Sequence, residues 1–167
     1  MPPRPTRRRR ELMWIDHLSL LPGDPSVTTS YSSVSSGVGG GLAALVVYSS
    51  TTGETTAGGG NKGIWTALQV PPRYSVVGVR ICYELTDARS FISQVRLSQV
   101  QDPPASAAIL LDDPTDQIAI GPICIDIKSQ SIDPAKGPLL LDVRVNFGDT
   151  TDAIAIRGVA LWVLAKP

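Results

Sequence analysis

The chain has 167 residues, 43% of them hydrophobic and 18% charged, long enough for one domain with its own core and far from the composition of a disordered chain. Basic and acidic residues balance at 15 each, but Arg4, Arg7, Arg8, Arg9 and Arg10 all fall in the first ten positions. The rest of the chain is left with ten basic residues against 15 acidic, which excludes a nucleic-acid-binding body by charge and confines any such contact to the arm.

Residues 1–21 read as a basic arm followed by a short apolar leader. Residues 12–21 have the look of a secretory signal core. Asp16 and His17 interrupt it, however, and Pro22-Gly23-Asp24-Pro25 stands where a small-residue cleavage site would be. Met13 offers an alternative start that would drop the arginines. No run reaches the roughly 18 apolar residues of a membrane helix, so the expectation is an intracellular chain without a membrane span. Residues 22–41, rich in Ser, Thr and Gly, read as a mobile linker.

From residue 42 onward short β-branched runs alternate with turn chemistry. Residues 42–48 form a continuous apolar run. Gly58-Gly59-Gly60-Asn61 sits in a hairpin-like loop over 55–63, and 64–70 is a strand closed by Pro71-Pro72. In residues 75–85, Val77, Val79, Ile81, Tyr83 and Leu85 share one face against Arg80 and Glu84. In 91–99 the inward set is Phe91, Val95 and Leu97. A short run at 108–111 precedes Asp112-Asp113-Pro114-Thr115-Asp116. Residues 118–128 put Ile123, Ile125 and Ile127 inward, and 131–138 is a loop. Leu139, Leu141, Val143, Val145 and Phe147 make a clean apolar face. Gly148-Asp149-Thr150-Thr151-Asp152 turns the chain into a last strand over 153–164, with a bulge expected at Gly158. Seven or eight one-sided strands and no helical periodicity predict an all-β chain, an antiparallel β-sandwich of jelly-roll or Greek-key type, over 42–167, preceded by a disordered N-terminal arm.

Chemistry is sparse. The single histidine, His17, lies in the leader, so neither a Ser-His-Asp arrangement nor a histidine-ligated zinc can be built within the predicted sandwich. No pair of carboxylates stands out, and the chain reads as a non-enzyme. Asp112, Asp113 and Asp116 offer hard oxygens to calcium, although the same residues simply make turns. Cys82 and Cys124 both point outward and can form a cross-strand disulfide if their strands are neighbours. Trp65 lies on the polar face of its strand, Tyr74 in a loop, and Trp162 near the bulge; together they are the candidate platform for a glycan or a protein surface. The expected function is therefore a non-catalytic binding or accessory module. The alternative is a self-assembling, capsid-like structural subunit, a homo-oligomer whose Arg-rich arm contacts nucleic acid.

Overall fold

The strand with the cleanest alternation lies at the centre of its sheet. In a computed structural model that describes residues 8–31, 44–102 and 104–167, β10 (Leu139–Asn146) is flanked on both sides by antiparallel partners. Leu139, Leu141, Val143 and Val145, with Phe147 just beyond the strand end, are all buried. The other strands among the described residues are β1 (Arg10–Ile15), β2 (Leu21–Pro22), β3 (Val27–Tyr31), β4 (Leu45–Ser49), β5 (Gly63–Leu68), β6 (Tyr74–Leu85), β7 (Phe91–Val100), β8 (Ala107–Asp113), β9 (Ile123–Ile132) and β11 (Ile154–Ala165).

They form two sheets. One has the order β3-β4-β11-β6-β9, with β1 paired to β11 beside this path; the other is β2-β5-β10-β7-β8. Four antiparallel couples, β4 with β11, β5 with β10, β6 with β9 and β7 with β8, nest one inside the next. This is the order of a jelly roll: a long hairpin wrapped so that successive couples fall in alternate sheets. The inner faces meet in one apolar core that includes Ile64, Ile81, Leu97, Leu141, Ile156 and Leu161.

The structure departs from the sequence reading on the N-terminal side of the predicted strands. Arg10–Ile15 and Val27–Tyr31, read as arm, leader and linker, are strands. β1 pairs with β11 from Arg10 opposite Leu164 to Ile15 opposite Val159, and its Met13 and Ile15 pack on the core. A chain starting at Met13 would lack half of this strand. β3 pairs with β4, and Val27 is buried there. A Ser- and Thr-rich segment with little apolar content of its own is held as a strand by its partner's backbone. Residues 1–7, including Arg4 and Arg7, and residues 32–43, which hold the Gly-rich stretch, lie outside the described residues.

Bulges account for the parity errors. Val77 is the extra residue where the register shifts between Val76 and Gly78, so Val76 takes the core position expected of Val77. Likewise the shift opposite Arg144 and Val145 makes Ser93 the extra residue, and Ile92 rather than Phe91 is fully buried. Arg157 is the extra residue beside Gly158, where β11 switches from Ile154 and Ile156 to Val159, Leu161 and Val163 as its buried set. β9 begins at Ile123, not at 118, and edges its sheet, leaving Ile118, Ile120 and Ile123 exposed.

Among the described residues, the Tyr83 hydroxyl is the one group of the apolar core left unsatisfied. Tyr83 is fully buried, and its hydroxyl has no hydrogen-bond partner; burial raises its pKa above the usual tyrosine value. A buried orphan hydroxyl costs free energy that its removal returns. Tyr83→Phe is therefore expected to stabilise the protein by up to about 1 kcal/mol, seen as a higher urea midpoint with an unchanged slope.

Candidate functional site

The outer face of the β2-β5-β10-β7-β8 sheet carries polar residues that are nevertheless shielded. Gln94, Ser98 and Asp142 point away from the core by strand alternation, yet all three are buried. Such burial of polar groups on a nominally solvated face means that neighbouring side chains lie over them.

One cross-strand row dominates it. Leu21 on β2 lies opposite Trp65 on β5, Trp65 opposite Asp142 on β10, Asp142 opposite Arg96 on β7, and Arg96 opposite Asp112 on β8. Trp65 remains 39% exposed. It is drawn down onto the sheet because two glycines leave room: a Cβ on Gly63 would lie 2.7 Å from Trp65 Nε1, and one on Gly23 would lie 2.9 Å from it. The same Gly63 Cβ would meet Asp142 Oδ1 at 2.6 Å. The indole nitrogen and the carboxylate thus converge over one bare stretch of backbone, which only glycine allows.

Asp142 is the unusual member of the row. It is 6% exposed, and its Oδ1 has no hydrogen-bond partner. Burial pushes its pKa up to about 6, against the opposing fields of Arg96 and Arg144. Neither arginine bonds to it. Arg96 Nη2 is 3.2 Å from Asp112 Oδ2, and Gln94 also donates to Asp112. Arg144 Nε donates to Ser93 Oγ at 3.0 Å and lies 3.5 Å from Glu54. The face therefore offers an aromatic surface, an unpaired acceptor and arginines already occupied by partners.

The other sequence candidates are dispersed. Trp162 stands on the opposite sheet, over Gly78, its partner across the strand pair. The guanidinium carbons of Arg10 and Arg80 lie 5.1 and 5.2 Å from its ring centre, and its Nε1 donates to Asp126 at 2.8 Å. Its ring is thus engaged by its own protein rather than presented to a ligand. Tyr74, at the start of β6, packs on the core with Arg73 5.1 Å above its ring. The three aromatics form no common platform. Of the arginine tract, Arg8 and Arg9 are exposed ahead of β1, while Arg10 belongs to β1 and to the Trp162 stack.

The acidic turn is likewise used internally. Asp112 serves Arg96 and Gln94, and Asp113 Oδ1 accepts from Thr115 N at 3.0 Å. Among the described residues no three metal-capable side chains gather, at Asp112, Asp113 and Asp116 or elsewhere. Cys82 and Cys124 lie directly opposite each other on β6 and β9 and are bonded, Sγ to Sγ 1.98 Å. His17 sits in a single 3-10 turn, His17–Ser19.

Sequence reasoning passed over two residues near these features. Strand alternation puts Asp142 outward beside Arg144 and Asn146, with nothing to set it apart, since its burial arises only once β5 and β7 flank β10 in the fold. Trp14, 58% exposed, borders a cleft of about 290 Å³ between the sheet edges, lined also by Thr66, Ala67 and Gln69; the signal available was an aromatic among the apolar residues of the leader.

No family model matches the sequence, and no curated protein matches it. Solved structures share the fold. A Clostridium thermocellum xylanase 10B structure, comprising its CBM22-1 and GH10 modules with xylohexaose, superposes with a TM-score of 0.58 at 8% identity, over 96% of this chain and 29% of that one. A structure of carbohydrate-binding modules from the β-sandwich superfamily, described as promiscuous in specificity, gives 0.50 at 10% identity, over 90% of this chain and 55% of that one. The chain thus spans less than a third of the first and about half of the second. At these identities the likeness establishes a shared β-sandwich.

Proposed function

We propose that the protein is a non-catalytic carbohydrate-binding module whose ligand lies across the outer face of the β2-β5-β10-β7-β8 sheet. The observation that carries this reading is the juxtaposition of an exposed indole, Trp65, with an unpaired and desolvated acceptor, Asp142, in one cross-strand row. A pyranose needs both. Its C–H face packs on a flat aromatic, and its hydroxyls need fixed polar partners that lose nothing when water leaves. A rigid sheet holds the pair in place without induced fit. The shared sandwich with carbohydrate-binding modules is consistent with this use, and sandwiches also serve many unrelated ends.

Affinity electrophoresis through gels holding xylan, mixed-linkage β-glucan, galactomannan or pectin tests the reading. The wild-type protein is expected to be retarded by at least one polysaccharide. Trp65→Ala is expected to weaken that interaction more than tenfold, as loss of a buried aromatic anchor does, with its melting temperature nearly unchanged. Equal retardation of variant and wild type would contradict the site, and free migration of the wild type in every gel would contradict the function.

A further inference from the structure

The charges around Trp65 say what kind of glycan the face accepts. Among the described residues, none donates to Asp142 Oδ1. The charged groups facing it are Arg96 from β7, Arg144 from its own strand and Asp112 from β8, while β5 brings only Trp65 and Gly63. Both arginines are held by other partners, Arg96 by Asp112 and Arg144 by Ser93 and Glu54. An anionic sugar would find no unpaired cation here and would meet an unpaired carboxylate. A sugar hydroxyl reaching the small part of Asp142 that is exposed would meet a carboxylate whose Oδ1 no described residue donates to.

We propose that this face selects neutral glycans, gripping a hydroxyl through the ionised Asp142 carboxylate, and that acid releases them. The proposal rests on the glycan reading of the face. A carboxylate accepts from a hydroxyl more strongly when charged, so protonating it removes the better acceptor. With the Asp142 pKa at about 6, roughly a tenth of the free protein is ionised there at pH 5 and nearly all of it at pH 7.5. The sign for stability runs the other way. A carboxyl whose pKa is raised by folding costs stability progressively as pH rises from the ordinary aspartate value to about 6, and the cost is fully present above that. The residue costs stability where it binds ligand, as functional groups commonly do.

The test is calorimetric titration of wild type and Asp142→Asn with xylohexaose, cellohexaose and mannohexaose, and with oligogalacturonate and chitosan hexamer as charged comparisons, at pH 7.5 and pH 5.0. A neutral hexamer is expected to bind wild type about tenfold more weakly at pH 5.0 than at pH 7.5. Asp142→Asn is expected to bind it weakly at both values, with no pH dependence and with a melting temperature at pH 7.5 above that of wild type. Tighter binding of oligogalacturonate or chitosan hexamer than of any neutral hexamer overturns the selectivity. A pH-independent affinity in wild type that Trp65→Ala still abolishes overturns the role of Asp142 and leaves the glycan site standing. Absence of binding by all five probes at both pH values overturns the site together with the proposal.

Discussion

Replacing Cys82 and Cys124 together with alanine is expected to cost about 4 kcal/mol of unfolding free energy. The two residues are 42 apart in sequence, so their bond closes a long loop in the unfolded chain. Chain-entropy reasoning assigns a loop of that size roughly this value. The folded state gives little back, because both side chains lie on the outer face and leave no core cavity when shortened. Without the bond, β9 remains an edge strand held to β6 by backbone pairing, with only Ile127 and Ile132 fully in the core. Urea unfolding should show a lower midpoint and a steeper slope, since the unbridged denatured chain expands further. Thiol titration of the unreduced wild-type protein in denaturant should find no free thiol. Two free thiols, or an unchanged midpoint, would contradict the bond.

Lys62→Met is expected to destabilise the protein by about 3 kcal/mol. Lys62 is fully buried, and its ammonium donates to the backbone carbonyls of Thr51, Thr52 and Gly53 at 2.6, 2.9 and 3.0 Å. All three of its protons are thereby spent on one turn. That turn is also pinned by the reciprocal backbone bonds of Gly53 and Phe147. Burial lowers the Lys62 pKa, with Asp24 opposing, so the carbonyls are what keep a charged group tolerable inside. Methionine preserves the length of the side chain but removes three charge-assisted bonds and leaves the Thr52 carbonyl without its partner. The loss should appear as a lower melting temperature and as faster amide exchange over residues 50–62. A variant as stable as wild type would show that the ammonium costs as much to bury as its bonds return.

How much of this was legible in the sequence depends on where each residue's environment comes from. β10 was readable to the residue because a central strand with one buried face needs strict alternation and nothing else. Val77 and Phe91 were misplaced because bulges answer to the partner strand, and a partner's register is not written in the segment itself. β1 and β3 escaped for a related reason: their stability comes from ladder bonds to β11 and β4, not from their own apolar content. Lys62 did leave a trace. Strict alternation from the buried Ile64 puts it on the core side, two residues away, and a lysine there has to find acceptors. Trp65 was readable as an exposed aromatic. Asp142 was not, since an acid among Arg144 and Asn146 looks solvated until β5 and β7 close in on either side.

The most direct measurement is an NMR titration of the 15N-labelled protein with the polysaccharide fragment that retards it most. A ligand on the sheet face should shift the Trp65 indole N–H and the amides of Gly63, Asp142, Arg96 and Gln94 together, with one affinity. It should leave those of β9 and of the Trp162 stack in place. Shifts confined to Trp14 and the cleft beside Thr66 and Gln69, with Trp65 and Asp142 silent, would contradict the account and move the binding site to the edge of the sandwich.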